Sequence, residues 1–217
     1  MAAFDNFRSI MKRAETLVDL HKVLCPRGKP KAEYADILRA VIVLSVSAVD
    51  GYFHEKIPEN IARLIQGKRG RNLPGKLIDV IKAEASHEKL ISIMFEKRRL
   101  SHIVSLVRKS MKEKTYQDPG KIEEAIKLLG IDKFWEKVGQ QLNVQKEKKI
   151  KTYIQRYINR RNDIAHRADF GQTKRNKNKL HNINRSYANK CIDEVRQFIE
   201  AIESVIETEL KRINTRT

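Results

Sequence analysis

Hydrophobic residues along most of the chain recur every three or four positions, which is the spacing of an amphipathic α-helix. The first such stretch runs from 5 to 24, and the most apolar one runs from 34 to 56. Apolar residues of the second stretch cover more than one helix face, so we expect it in the middle of a bundle. Its run Val41-Ile42-Val43 is also compatible with a strand, but the helical spacing continues to Phe53, beyond ordinary strand length.

Turn signals divide the rest of the chain. Pro58 and the stretch 67–75, GKRGRNLPG, predict a basic loop, and Asp118-Pro119 predicts a capped helix start. Further helices are predicted at about 76–85, 87–111, 118–130, 146–168 and 184–210, with a short one capped by Asp132. The prediction is an all-α helical bundle forming one domain over 1–217, and one interpretation of 67–132 is a loop–helix insertion on that bundle.

The distribution of charge indicates that the predicted bundle binds a polyanionic partner. The chain has 45 Lys and Arg against 27 Asp and Glu, a net charge of +18. The segment 146–190 holds 14 basic residues against three acidic ones. A solvated helix face is the alternative, but this concentration favours a phosphate-binding surface, with RNA ahead of an anionic membrane. The predicted RNA-binding residues are Arg160, Arg167, Lys174, Arg175, Lys177 and Lys179.

Other classes of function find no support in the sequence. Cys25 and Cys191 are too few and too far apart for a disulfide framework or a zinc module, which favours a reduced cytoplasmic setting. The N-terminus has no signal-peptide pattern, and no apolar run approaches the ~20 residues of a membrane span. We find no glycine-rich phosphate loop and no carboxylate cluster, and therefore predict no cofactor and no metal.

The most specific signal is an arginine that interrupts an apolar helix stripe. In IKTYIQRYINRRNDIAHRAD, Arg161 projects into the stripe, and a guanidinium there needs an anionic partner. A carboxylate such as Asp50 or Glu194 is one candidate partner, and an RNA phosphate is the other. The stripe consists of Ile150, Ile154, Tyr157, Ile158, Ile164, Ala165 and Ala168.

Two further side chains give this arginine a chemical context. Asn162 and His166 lie four residues apart, so both flank the stripe on one side. Histidine transfers protons near neutral pH, and an arginine fork stabilises charge on phosphate oxygens. With RNA bound, Arg161 and His166 suffice for attack of a 2′-hydroxyl on its own phosphate, although His166 is also readily explained as an ordinary surface histidine.

Polar residues on the early apolar helix need partners as well. Ser47, Asp50 and His54 are spaced at i, i+3 and i+7, and the simplest explanation is an internal hydrogen-bond network or a partner for Arg161. The alternative is that Asp50 and His54 hold the catalytic residues in position without contacting the substrate themselves. No nucleophile-elbow sequence accompanies them, so a serine hydrolase is not expected.

The phrase RRNDIAHRAD resembles the R-polar-x-x-x-H motif of HEPN-domain ribonucleases, in their RiboL-PSP-HEPN branch. The stretches LRAVIVLSVSAVDGYFHEKI and VRKSMKEKTYQDPGKIEEAIKLLGIDKFWEKVG are similar to the same branch. The resemblance implies a helical bundle that forms a homodimer through its motif helices. It also implies that Arg161 and His166 are catalytic, that Asn162 orients the site, and that some members have an antitoxin or another regulatory partner.

A shared dimer site also answers a geometric difficulty. Positions five apart diverge by ~140° on an ideal helix, so Arg161 and His166 of one chain do not point the same way. We therefore expect a metal-independent endoribonuclease working at a dimer interface, and the resemblance to HEPN ribonucleases implies a toxin-like or anti-phage role. The alternatives are a non-catalytic helical module that binds RNA or a protein, and a structural protein whose charge only serves solubility.

Overall fold

The computed structural model describes residues 2–26, 32–67, 73–171 and 179–215. Within these ranges it contains α-helices and one isolated antiparallel bridge, between Phe170 and Leu180, but no strand. The all-α prediction is therefore confirmed. In chain order the helices are α1 (Ala2–Leu24), α2 (Ala32–Gly67), α3 (Gly75–Glu84), α4 (His87–Phe95), α5 (Arg99–Met111), α6 (Pro119–Lys127), α7 (Phe134–Gln141), α8 (Glu147–Lys151), α9 (Gln155–Arg167) and α10 (Arg185–Thr215).

Helix α2 forms the centre of the bundle, as its apolar pattern predicts. It contacts α1, α5, α9 and α10, and Ile42, Val49 and Phe53 on it have no exposed surface. By length and composition alone, the segment Glu33–Gly67 would also pass as a membrane span. Its burial against five other helices, α6 included, is what the core helix of a bundle shows.

The structure extends α2 eleven residues beyond the predicted end at Lys56, so Pro58 lies inside the helix. Proline removes one backbone donor and disfavours a helix interior by ~3 kcal/mol. Here Ile57, Ile61 and Leu64 are completely buried on either side of it. Their burial contributes more than the proline costs, because each large aliphatic side chain gains ~1.5–3 kcal/mol on leaving water.

Two of the predicted helices are each divided in two. The segment 87–111 leaves helical geometry at Glu96, where ψ is 144°, because the exposed run 96–98 has nothing to bury. The segment 146–168 is interrupted after Lys151, where Thr152 and Ile154 have ψ values of 9° and 7° and so leave helical geometry. The break separates α8 from α9.

The helix caps show one correct and one wrong prediction. Asp118 caps α6, and its Oδ1 accepts a hydrogen bond from the Lys121 amide at 3.1 Å. Asp132 does not cap α7, because Lys133 takes the N-cap position in a left-handed conformation with φ 51°. Helices α3 to α6 fall within 67–132, and the interpretation of this region as an insertion stays a prediction.

A buried ionic network joins α2 to α10. The fully buried Lys56 donates to Glu203 at 2.6 Å and to Glu207 at 2.9 Å, and Arg63 binds both carboxylate oxygens of Glu207. The hydroxyl of Tyr52 donates to Glu203 at 2.6 Å. Hydrogen bonds from Arg63, and then from Lys56, lower the pKa of Glu207 from 4.5 to about 2. We call these five residues the Lys56 network.

Candidate functional site

Helix α9 carries Arg161, Asn162 and His166, and its two halves have different surroundings. Tyr157 and Ile158 in the first half are buried, as the apolar stripe predicts. In the second half Ile164 is only half-buried, while Ala165 and Ala168 are exposed. The stripe therefore belongs to the core at one end and is open to solvent at the other, where the candidate site lies.

Arg161 has no ion pair with any residue that the structure describes. Its Nη1 donates to Asn162 Oδ1 at 3.1 Å, and its buried Nε finds no acceptor in the described ranges. Neither carboxylate considered from the sequence reaches it: Glu194 pairs with Arg156, and Asp50 binds the backbone amide of Tyr116. A half-buried guanidinium in this state retains its capacity for an anion, since burial without a charge partner is costly.

His166 is exposed on the last turn of α9, and no hydrogen bond from a described residue holds its imidazole. The helix is continuous from Gln155 to Arg167, so the ~140° separation of Arg161 and His166 expected from helix geometry applies here. The two side chains of one copy are therefore not directed at one common point. Asn162 lies beside Arg161 and shares its hydrogen bond, which fits the orienting position that the sequence predicts.

A buried carboxylate fixes the end of α9. Asp169 is fully buried, and its Oδ2 accepts from Arg39 Nε at 2.6 Å and from Arg160 Nη2 at 2.8 Å. The same two guanidinium groups donate to the carbonyl of His181, at 2.9 and 3.1 Å. We call these four residues the Asp169 clamp. The sequence predicted an RNA contact for Arg160, and the structure places its guanidinium in this clamp instead.

The remaining predicted RNA-binding residues divide into two groups. Arg167 is about half exposed and pairs with Asp163 at 3.0 Å one helical turn earlier, a contact that screening keeps weak. Lys179 is exposed. Both are accessible to a phosphate. Lys174, Arg175 and Lys177 lie outside the described residues, and their predicted RNA contacts stay a prediction.

An apolar groove opens beside the candidate site, between α1, α2 and α9. Its volume is about 660 Å³, and Leu17, Val43, Leu44, Ile164 and Ala168 contribute to its walls. Charged groups stand at its edge: Arg13, Asp36 and Arg39. We call it the motif groove. An apolar groove open to solvent next to exposed polar residues is typical of an interaction surface.

The predicted supporting role of Asp50 and His54 is not what the structure shows. Asp50 accepts from the Tyr116 amide at 2.5 Å, and His54 Nε2 lies 3.0 Å from the carbonyl of Lys114. Both residues therefore hold the loop between α5 and α6. They lie one to two turns along α2 from Ser47, which does line the motif groove. The internal hydrogen-bond network, the simpler of the two interpretations, is the correct one.

A larger cavity, of about 740 Å³, lies between α1, α2 and α5 and is lined by residues such as Ala3, Pro58 and Arg108. None of the motif residues lines it, so its size alone gives it no link to the candidate chemistry. Among the described residues no group of three His, Cys, Asp or Glu side chains is placed to hold a metal ion.

The sequence reasoning missed Arg39, Asp169 and the groove walls on α1. Asp169 gave a weak signal, because it is one of only three acidic residues in the basic segment 146–190. An isolated carboxylate among so many cations is a natural partner for them. Leu17 and Arg39 gave no signal, since their positions in the site depend on how α1 and α2 pack against α9.

Comparisons with known proteins agree with the resemblance seen in the sequence. A family model described as RiboL-PSP-HEPN matches residues 8–208, which is nearly the whole chain and includes all of α9. No curated protein and no solved structure matches the chain.

Proposed function

Because the chain belongs to the RiboL-PSP-HEPN family, whose HEPN domains suggest an RNase-type or RNA-related function, we propose that it is a metal-independent endoribonuclease. The observation that carries the proposal is the guanidinium of Arg161, which has no carboxylate partner in the described ranges and lies on the same short helix as the accessible imidazole of His166. In RNA cleavage of this type the nucleophile is the 2′-hydroxyl of the substrate, so the cleavage step requires neither a water molecule nor a metal ion.

The proposed reaction assigns one role to each group. One His166 takes the proton from the 2′-hydroxyl, whose oxygen then attacks the adjacent phosphorus. The bond from phosphorus to the 5′-oxygen breaks, and the same His166, now protonated, returns the proton to that oxygen. Arg161 binds the phosphate oxygens and stabilises the charge that develops on them. The products are a 2′,3′-cyclic phosphate and a 5′-hydroxyl.

We propose that the enzyme works as a homodimer, which brings Arg161 of one copy to His166 of the other. The exposed end of α9 and the motif groove support this, because they present apolar surface beside the motif. Leu20 and Leu24, 46% and 42% exposed, continue the helix face of Leu17 at spacings of three and seven residues. A surface with this pattern buries its apolar area when a second copy covers it.

Mixing two inactive variants tests the shared site directly. If each site takes Arg161 from one copy and His166 from the other, Arg161→Ala mixed with His166→Ala restores one intact site in each mixed dimer. With random exchange of subunits the mixture would regain about a quarter of wild-type activity. No recovery in a mixture shown to exchange subunits would contradict a shared site, and a monomer that cleaves RNA at full rate would contradict the dimer.

Cleavage itself is tested with purified protein, RNA and EDTA, followed by analysis of the RNA ends. We expect cyclic-phosphate ends with the wild type and their loss with His166→Ala or Arg161→Ala. His87→Ala, at an exposed histidine on the first residue of α4, is the matched control and should cleave normally. Cleavage that survives in both motif variants would refute the proposed chemistry.

A non-catalytic RNA-binding module is the second candidate, because the charge of segment 146–190 favours it independently of the motif. Under that alternative the wild type binds RNA with a steep salt dependence but produces no new ends. Charge reversal at Lys174, Arg175, Lys177 and Lys179 tests whether these residues carry the binding.

We propose that the biological role is toxin-like or anti-phage and that the protein acts in the cytoplasm, with RNA as its partner and an antitoxin or other regulator as a further one. The free thiols of Cys25 and Cys191 fit a reducing compartment. Growth arrest on expression, absent with His166→Ala, would support the role. Normal growth despite cleavage activity in the purified protein would count against it.

A further inference from the structure

The residues that follow the motif helix adopt a backbone that is costly without a specific reason. Ala168 and Asp169 have φ values of 47° and 65°, in the left-handed region that residues with a Cβ disfavour. They turn the chain sharply at the end of α9. Two such residues in succession persist only where surrounding contacts hold them, and such conformations are concentrated at functional sites.

The Asp169 clamp supplies those contacts, and backbone hydrogen bonds extend them to the next residues. The amide of His181 donates to the carbonyl of Asp169 at 3.0 Å, and the amide of Gly171 donates to the carbonyl of Lys179 at 3.0 Å. Phe170 lies between the buried residues Asp169 and Gly171, so its backbone is fixed on both sides. Its amide also donates to the carbonyl of Arg167 at 3.1 Å, next to His166.

This anchored segment presents an aromatic ring to solvent. Phe170 is 42% exposed, and Leu180, its partner in the antiparallel bridge, is 41% exposed. The exposed cations Arg167 and Lys179 are the residues whose carbonyls accept the amides of Phe170 and Gly171. An aromatic face held in place beside positive charges matches the requirements of a single-stranded nucleic acid, whose bases stack while its phosphates bind cations.

We propose that Phe170 is a stacking platform for an unpaired nucleobase of the RNA, close to the scissile phosphate, with Arg167 and Lys179 on the adjoining phosphates. This inference rests on the proposed function and deepens it, since it makes single-stranded RNA the preferred substrate. A base-paired stem cannot offer a free base to the ring without being opened.

The test measures binding in a protein that cannot cut. In the His166→Ala background, Phe170→Leu keeps an apolar side chain but loses the aromatic face, and Phe170→Trp restores a larger one. The probes are a short single-stranded RNA containing 2-aminopurine and a hairpin with the same base composition. Phe95→Leu is the matched control, because Phe95 is 86% exposed and is followed by Lys97, Arg98 and Arg99, but its helix α4 packs against α5 whereas α9 packs against α2.

We expect Phe170→Leu to weaken binding of the single strand about 5- to 100-fold, the range that base–aromatic stacking supplies. Phe170→Trp should bind like the parent protein, quenching of 2-aminopurine should vanish only in Phe170→Leu, and Phe95→Leu should change nothing. Hairpin binding should change little in all variants.

Three results would overturn the platform. These are unchanged single-strand affinity in Phe170→Leu, an equal loss for strand and hairpin, and a loss of affinity that follows a change of oligomeric state. If the His166→Ala protein binds no RNA at all, the proposed function fails with it. If the wild type cleaves RNA as proposed while Phe170→Leu binds normally, only the platform is wrong.

Discussion

The two ionic networks anchored on α2 differ in how their charges balance. In the Lys56 network two cations, Lys56 and Arg63, face the two carboxylates of Glu203 and Glu207. In the Asp169 clamp the guanidinium groups of Arg39 and Arg160 share a single carboxylate oxygen, and Oδ1 of Asp169 has no partner among the described residues. Asp36 adds only an exposed contact to Arg39.

This difference in charge balance suggests different roles: the Lys56 network stabilises the fold, whereas the Asp169 clamp lies next to the candidate site. The Lys56 network needs nothing from outside, whereas in the clamp a single buried carboxylate faces two guanidinium groups and the second carboxylate, Asp36, is 77% exposed, so water weakens its neutralising effect. A polyanion bound there would supply the missing negative charge. The contrast leads us to expect large effects on folding from one network and effects on RNA chemistry from the other.

The largest effect on folding is expected from Lys56→Ala. Removal of a fully buried cation leaves Glu203 and Glu207 without their shared partner, which typically costs about 3–5 kcal/mol. Urea unfolding measures this loss. At a temperature where the variant is fully folded, we expect RNA cleavage per molecule to match the wild type, and a specific loss of cleavage would remove the contrast between the networks.

Asp169→Asn should have a smaller effect on stability and a larger one on activity. Its two arginines lose their charge partner at a cost of about 2–3 kcal/mol, less than for Lys56→Ala because asparagine keeps an oxygen that accepts their hydrogen bonds. The end of α9 loosens, and cleavage falls even under conditions where the protein is folded. Asp163→Asn, on the exposed pair with Arg167, is the control and should cost less than about 1 kcal/mol. Equal cleavage by both variants would argue against the clamp.

Acid should act on the balanced network within a defined pH range. The pKa of Glu207 is depressed in the folded protein, so its stabilising contribution is complete above pH 4.5 and is lost as the pH falls toward about 2. Thermal unfolding of wild type and Glu207→Gln against pH measures this. We expect the two melting temperatures to converge as the pH falls through that range, and a constant difference would contradict the assigned pKa.

The smallest effects come from a matched pair of arginines, Arg63 and Arg167, with side chains 40% and 52% exposed. Arg63→Gln should cost about 1 kcal/mol of stability and leave RNA affinity unchanged. Arg167→Gln should barely change stability, but the slope of log affinity against log salt should fall by about 0.7, the value for one single-strand phosphate contact. If Arg63→Gln instead lowered the salt slope and Arg167→Gln lowered stability, the assignment of RNA binding to Arg167 would be wrong.

The sequence predicted the fold class and the central position of α2 because hydrophobic periodicity reports burial directly. It also placed Arg161 on an apolar stripe, but it left open whether a carboxylate or a phosphate pairs with it. Helix ends were less predictable: Pro58 is a local signal that the burial of Ile57 and Ile61 overrides, and no Gly or Pro marks the break at 152–154.

The site could be predicted only in part for a similar reason. Arg160 and Arg161 are neighbours with the same charge, and helix geometry alone does not reveal that Asp169 lies within reach of one and not the other. Asp50 and His54 have the spacing of functional residues, but their partners, Tyr116 and Lys114, come from a loop more than 50 positions away. The sequence pattern of a helix determines on which face a residue lies, but the packing of helices against each other determines which side chains that residue contacts.

One unbroken helix carries both networks, with Arg39 and Lys56 seventeen positions apart on α2, a span of about 25 Å. Such a stiff connection makes the opposite ends of the molecule melt together. A ligand held near Arg39 would therefore raise the temperature at which a dye or isotope label beside Lys56 reports unfolding, by an amount that grows with the logarithm of the ligand concentration above its Kd. Occupation of the motif end can thus be followed by a sensor that the ligand never touches.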